Sequence, residues 1–475
     1  MSPASWSLLF GSLAVVWACV MAVVIVLQRR SPAATIAWLL VLALFPFVGY
    51  LIYRMIGPRR LERRKLRRRL TRKLVDEATG TLAEIESESP LRHRDQLARV
   101  AIMAGEAPPL RAESVTLYVD GATKYQAVSD AIAAARHHVH VEYYIWEDGE
   151  VGRRLRDQLV ERARAGVEVR VLVDGTGSFG VRGAFFDPLR AAGGEVAWFN
   201  PLSLFVSRRR ADFRSHRKIV VCDGSVGFTG GMNIADAQTA EYAGAAAWRD
   251  THVRIVGSAV RALQRVFAED WMYATERALA GGESYYPVPV TEGCEVVQIV
   301  ASGPDLDTFA IHAVFFAAIN QAVSRVWLTT PYFVPDDAML TALISAALRG
   351  VDVQVIVPAR GDSRVVDLAA RSYFPEVLAA GVRVFEYGPP FIHAKTLVID
   401  GDVAIIGTAN LDNRSFKLDF EVEAVVYGDV HATELAAAFL TDLERCREVT
   451  RAATEGQPFF TRLGQAGARL LSPLL

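Results

Sequence analysis

Twice in this chain a histidine is followed two residues later by lysine and seven residues later by aspartate. The first set is His216, Lys218 and Asp223; the second is His393, Lys395 and Asp400. Seven residues past each aspartate stands a glycine, and three further an asparagine: Gly230 with Asn233, Gly407 with Asn410. Two sets with matching tails imply a duplicated site with pseudo-two-fold symmetry. It would gather two imidazoles, two ammonium groups and two carboxamides at one point. Those groups suit transfer of a phosphodiester. Lys218, Lys395, Asn233 and Asn410 would bind the non-bridging oxygens and stabilise the charge of the transition state. One neutral imidazole could attack phosphorus, and the other, protonated, could serve the leaving alkoxide and then the incoming alcohol.

The partner common to both sets is lysine, which is not a metal ligand at neutral pH. No catalytic metal and no cofactor is therefore expected. His216, Lys218, His393 and Lys395 carry the expected catalysis. Asp223 and Asp400 are grouped with them as motif members, although an Asp-Gly step also signals a hairpin turn. Each imidazole needs an acceptor on its second nitrogen. Asp250 and Glu421, on the strand after each motif, are the candidates.

Elements that could position these residues repeat along the chain. In a strand, positions i and i+2 share a face, so each His–Lys pair projects to one side. Residues 139–146 and 166–174 read as strands separated by a helical stretch. Residues 326–333 and 350–357 repeat that order, and Gly281 to Pro289 reads as the hinge. The repeat offset is 184–187 residues through these elements but 177 at the histidines, so the first copy carries about ten extra residues before His216. The implied fold is two tandem α/β/α units with mixed, largely parallel sheets.

The chain has 475 residues and is 51% hydrophobic, with a mean hydropathy of +0.20. Residues 6–27 and 32–53 are uncharged runs of 22 residues, each about 33 Å long as a helix, and are expected to form two transmembrane helices. Pro46 interrupts the second run. Trp38, Tyr50 and Tyr53 are candidate interfacial anchors. Residues 54–73 hold eleven Lys or Arg and one Glu, about +10, and would lie on anionic lipid on the cytoplasmic side. With Arg29 and Arg30 also set aside, the remainder is at about −13, which argues against a nucleic-acid enzyme. The four cysteines are scattered and suggest neither a zinc site nor a disulfide framework.

The doubled motif with its Gly-x-x-Asn tails resembles the phospholipase D superfamily. Further similarity, to bacterial cardiolipin synthases, lies in the N-terminal hydrophobic pair, in Glu142-Tyr143-Tyr144-Ile145, in Thr329-Thr330-Pro331-Tyr332-Phe333 and in Asn410-Leu411-Asp412-Asn413-Arg414-Ser415. The resemblance implies two phospholipase D-like domains, at 111–285 and 286–450, after a membrane anchor at 1–57 and a basic linker at 58–110, with an amphipathic segment at 451–475. It implies a phosphatidyltransferase of the bacterial inner membrane, multi-pass, with cytoplasmic catalytic domains. Two phosphatidylglycerol molecules would give cardiolipin and glycerol through a phosphohistidine on His216. Anionic membrane lipids are the expected partners, nucleic acid is not, and an oligomer is compatible with the sequence. The alternative activity is phospholipid hydrolysis. One departure is Gly231, where family members often carry Ser after the glycine, so a hydroxyl contact is absent from the first copy. Residues 201–214, apolar then basic, read as a further lipid-contact loop.

Overall fold

Each histidine motif enters a strand with few polar interruptions. Lys218–Cys222 and Thr396–Ile399 are buried throughout. Such runs belong at the centre of a sheet covered on both faces. The computed structural model describes residues 3–28, 32–56, 73, 94–201, 213–279, 282–287, 293–306 and 308–475. Most of the basic run and residues 202–212 of the loop before His216 lie outside the described residues.

The seven strands of the first sheet run in the order Ser114–Tyr118, His252–Val256, Val226–Gly230, Lys218–Cys222, His138–Tyr143, Glu168–Asp174, Glu195–Phe199. The second sheet repeats the inner order with Glu421–Tyr427, Val403–Gly407, Thr396–Ile399, Arg325–Thr329, Asp352–Pro358 and Arg383–Tyr387. In both sheets the His strand, the strand after its Asp-Gly turn and the strand of the candidate orienting acid form an antiparallel meander. The sheets are mixed, but not largely parallel as expected. Only the pairings made through helical crossovers, two in each sheet, are parallel. The motif itself is hairpin-built, and hairpins give antiparallel pairs.

The expected boundary between linker and first domain also differs. Leu110–Ala112 pairs with Glu295–Ser302 at the edge of the second sheet. The helix Asp95–Met103 sends Leu97, Ala98 and Ala101 into the second domain's core. Residues 95–112 therefore belong to the second domain, and the first domain is inserted after them. At the other end Cys446–Glu448 completes the second sheet beside Arg383–Tyr387.

One apolar layer is shared between the halves. Ile219, Val221, Val253, Ile255 and Leu263 from the first half pack with Ile299, Val398, Ile406, Val422 and Ala424 from the second. Each buried aliphatic side chain of this kind contributes about 1.5–3 kcal/mol. Arg217, between His216 and Lys218 in sequence, points to the opposite face of the strand and is fully buried. Its guanidinium pairs with Asp270 and donates to the main-chain oxygens of Ser302 and Glu421, both in the second half.

The N-terminal region forms the helices Pro3–Val26, Pro32–Leu44 and Pro46–Ile56. The second hydrophobic run is thus two short helices instead of one. Pro46 has no N–H to continue the first of them, but fits the first position of the next. Ile25, Leu42 and Tyr53 pack together, Trp38 meets Tyr53 edge-on, and Trp17 meets Tyr50, which is exposed. Among the described residues no helix is long and apolar enough to cross a membrane.

Candidate active site

Two short backbone crossings build the site. The His216 amide donates to the Phe420 oxygen at 2.9 Å, and the His393 amide donates to the Arg249 oxygen at 2.7 Å. Each histidine is therefore stitched to the residue before the other half's candidate acid. The side chains follow. Asp250 Oδ2 lies 2.7 Å from His393 Nδ1, and both Glu421 oxygens lie 3.1 Å from His216 Nδ1. The acids are exchanged between the repeats: each half orients the other half's imidazole. The Thr408 carbonyl is a further acceptor for His216, at 3.0 Å. With only acceptors around it, each Nδ1 carries a hydrogen, which leaves each Nε2 for the reaction, as a lone pair on a neutral ring or as N–H on a protonated one.

Both lysines are folded back on the motif. Lys218 Nζ donates to the His216 carbonyl at 2.6 Å, and Lys395 Nζ to the His393 carbonyl. Burial, helped by the charge of Lys395 and opposed by Glu421 and Asp250, lowers Lys218 to about 7; burial alone, opposed by Asp250 and Glu421, lowers Lys395 to about 8. Burial likewise lowers both histidines. His216 falls well below its ordinary value, pushed further by Lys218, Lys395 and His393. His393 is lowered by burial and Lys395 against the opposing pull of Asp250. Burial raises Glu421 to about 7 despite Lys218, whereas His393 and Lys395 overcome burial to hold Asp250 below its usual value. The two acid–imidazole pairs are therefore electrostatically unequal.

Asn233 and Asn410 follow the glycine turns and are buried. The Asn233 carboxamide oxygen accepts the Ile145 amide at 3.2 Å. The Asn410 amide donates to Ser415 Oγ at 3.1 Å, while its side-chain oxygen is buried without a hydrogen-bond partner.

Asp223 and Asp400 do something else. Seven residues of extended chain, about 23 Å, separate each from its histidine. Asp223 accepts the amides of Arg136, His137 and His138 at 2.8–2.9 Å. Asp400 accepts those of Val323, Ser324 and Arg325 and pairs with buried Arg94. Both have positive φ in the turn that starts the return strand. Their grouping with the catalytic residues is corrected accordingly: they tie the His hairpin to the neighbouring strand's entry.

Several contributors had no signal in the spacing. Tyr144 stands edge-on to His216 at 4.9 Å between centroids, and Trp248 tilts over His393 at 5.4 Å. Thr408 Oγ1 donates to Glu421. Glu423 accepts the amides of Thr408 and Ala409 at 3.0 and 2.8 Å, fixing the second turn. The first turn solves the same problem without a hydroxyl. At Gly231 an added Cβ would sit 2.0 Å from Asp250 Oδ1, so glycine there admits the shorter carboxylate. Among the described residues no group of three or more His, Cys, Asp or Glu is arranged to hold a metal ion.

Comparison with known proteins matches this architecture. The family described as "Cardiolipin synthase, PLD-like domain" matches residues 128–271 and 315–444, and "Phospholipase_D-nuclease N-terminal" matches 16–58. The cardiolipin synthase of Geobacillus kaustophilus is 41% identical over 479 residues, covering 98% of this chain and 94% of the relative. That of Geobacillus thermodenitrificans is 42% identical over 465 residues, covering 96% and 91%. A phosphatidylserine synthase structure from Haemophilus influenzae superposes with a TM-score of 0.60 at 14% identity, covering 80% of this chain and all of that one; at that identity the likeness shows the fold alone. By the two matched domains and by identity along nearly its whole length, the chain belongs to the cardiolipin synthase family of phospholipase D-like enzymes.

Proposed function

We propose that the chain transfers a phosphatidyl group from one phosphatidylglycerol to another, forming cardiolipin and releasing glycerol. The observation that carries the reading is the pair of imidazoles, each fixed as the Nδ1–H tautomer by the other half's carboxylate, beside two buried lysines. His216 Nε2 attacks phosphorus and the bond to the glycerol oxygen breaks. His393 Nε2–H gives that oxygen its proton. A hydroxyl of the second lipid's glycerol then returns a proton to His393 and attacks phosphorus, the P–N bond breaks, and His216 is restored. One phosphodiester replaces another, so no nucleotide enters. Lys218, Lys395, Asn233 and Asn410 hold the phosphoryl oxygens.

The inequality of the two pairs supports this direction. The nucleophile must be neutral, and burial with Lys218, Lys395 and His393 disfavours a proton on His216. The general acid must hold one, and at His393 the Asp250 carboxylate pulls toward the charged form against burial and Lys395. The N-terminal helices and the basic run are read as the membrane anchor, with the catalytic body on the cytoplasmic side of the cell membrane. The uncharged runs and the positive charge that follows them support that reading.

The test is product analysis. Purified protein in phosphatidylglycerol vesicles is expected to yield cardiolipin and glycerol in equal amounts. Phosphatidic acid in place of cardiolipin would assign water as the acceptor and overturn the transferase reading.

A further inference from the structure

The C-terminal helix Phe459–Arg469 and the turn after it have one face fastened and one face bare. On the fastened face Gln465 and Ala468 are buried. Arg469 pairs with Glu376 at 2.9 Å and lies 4.2 Å over the Tyr373 ring. The Tyr373 hydroxyl bonds Ser472 Oγ at 3.0 Å, and Ser472 also accepts from the Asn413 side chain at 3.2 Å. The Leu475 main-chain oxygen accepts the Arg414 amide at 2.9 Å. Asn413 and Arg414 open the short helix Asn413–Lys417, three residues after Asn410, so the tail is bonded directly to a segment that adjoins the candidate site.

The bare face carries Phe459, Phe460, Leu463, Leu470, Leu471 and Leu474. Phe460 is 81% and Leu470 82% exposed. Over 459–475 the only charges are Arg462 and Arg469. Arg469 is paired on the fastened side, so the bare face keeps Arg462; large apolar side chains with an arginine beside them and no acid suit the interface of an anionic bilayer. The body carries a net negative charge that anionic lipid repels, and this apolar, acid-free face lacks that repulsion.

We infer that the outward face of residues 459–474 seats in the surface of an anionic phospholipid membrane and thereby holds the 410–415 segment near the lipid from which substrate is drawn. This rests on the lipid substrate proposed above. It adds a second, catalytic-side membrane contact to the N-terminal anchor.

The test uses the full chain in phosphatidylglycerol vesicles, with Cys19, Cys294 and Cys446 replaced by serine and an environment-sensitive dye on F460C. A matched protein carries the dye on V323C, an exposed position elsewhere on the body. With brominated acyl chains the dye at 460 is expected to lose about half its emission and the dye at 323 none, as bromines quench only within the lipid interface. Equal emission at both positions overturns the inference. So does a blue shift at 460 that bromines do not quench, which would mean that a second copy covers the face. The readout needs no turnover, so it stands apart from the product analysis. In a second arm, F460D/L470D is expected to lose about tenfold in rate on long-chain vesicles but nothing on monomeric dihexanoyl phosphatidylglycerol. Equal loss on both substrates counts against membrane seating.

Discussion

Asp250 and His393 lie 143 positions apart in sequence, in different halves of the repeat, and meet at 2.7 Å. Glu421 and His216 make the reciprocal contact across 205 positions. Neither half therefore holds a complete imidazole–carboxylate pair. Both pairs form where the two copies meet, and the shared apolar layer and buried Arg217 also join the copies.

The exchange predicts which histidine each acid controls. Asp250→Asn removes the charge that favours protonated His393, so the His393 pKa falls further below its ordinary value while His216 is little changed. Glu421→Gln disturbs the tautomer of His216 and leaves His393 as it was. Histidine ¹⁵N resonances followed over pH report both. Each substitution is expected to lower kcat by about 10²–10⁴-fold with a smaller change in KM. A response of His216 to Asp250→Asn would mean that the acids serve their own halves.

A second prediction separates chemistry from architecture inside the motif. Asp223→Ala deletes three charge-assisted bonds to backbone amides and is expected to cost about 3 kcal/mol in denaturation. The rate per folded molecule should persist. The amides hold Asp223 below its ordinary value although burial opposes them. Its stabilising contribution is therefore complete above the ordinary carboxylate value and is lost as pH falls through the lower folded one. Denaturation of wild type should lose stability below about pH 4, and Asp223→Ala should lose less there. A collapse of kcat in folded Asp223→Ala protein would return the residue to the catalytic group.

The His–Lys pairs were legible because their arrangement is local: two residues facing one side need only the right spacing. The turns were legible for the same reason, since Asp223-Gly224 and Asp400-Gly401 declare themselves within two residues. Asp250 and Glu421 could be named as acids on the following strand, but their exchange could not. It depends on Ser215 pairing with Phe420 and Arg249 with Ile392, contacts between segments far apart in sequence. The same limit hid Leu110–Ala112 in the second sheet, because three residues carry no sign of which distant edge they join. Thr408 and Gly231 differ because the carboxylates behind them differ by one methylene, a relationship that exists only once the strands are aligned.

The charge proposed for this site is that of Lys218 and Lys395, which leads to a prediction about divalent ions. Single-turnover formation of the covalent phosphatidyl-enzyme should proceed unchanged in excess EDTA, measured by rapid quench with labelled phosphatidylglycerol. Any effect of divalent ions on steady-state rates should then follow lipid surface charge and be reproduced by raising monovalent salt. Loss of the single-turnover burst in EDTA, restored by one metal only, would contradict lysine as the source of charge.

The pH dependence of kcat/KM should expose the burial of the site. Measured on monomeric short-chain phosphatidylglycerol, it reports the free enzyme without a lipid surface. His216 must be neutral to attack, and burial with the neighbouring lysines lowers it well below its ordinary 6.5. Activity should therefore rise along an acid limb lying below pH 6.5. On the alkaline side His393 must hold its proton, although burial and Lys395 lower it, and the lysines must stay charged, although burial has brought Lys218 to about 7 and Lys395 to about 8. Activity should fall as pH passes through that range, about three units earlier than for exposed lysine. Bound phosphodiester favours the charged form of both lysines, so the alkaline limb of kcat should lie higher than that of kcat/KM. A kcat/KM profile flat to pH 10 would mean that the lysines are solvated in the working enzyme, and would remove the electrostatic basis for assigning His216 as nucleophile.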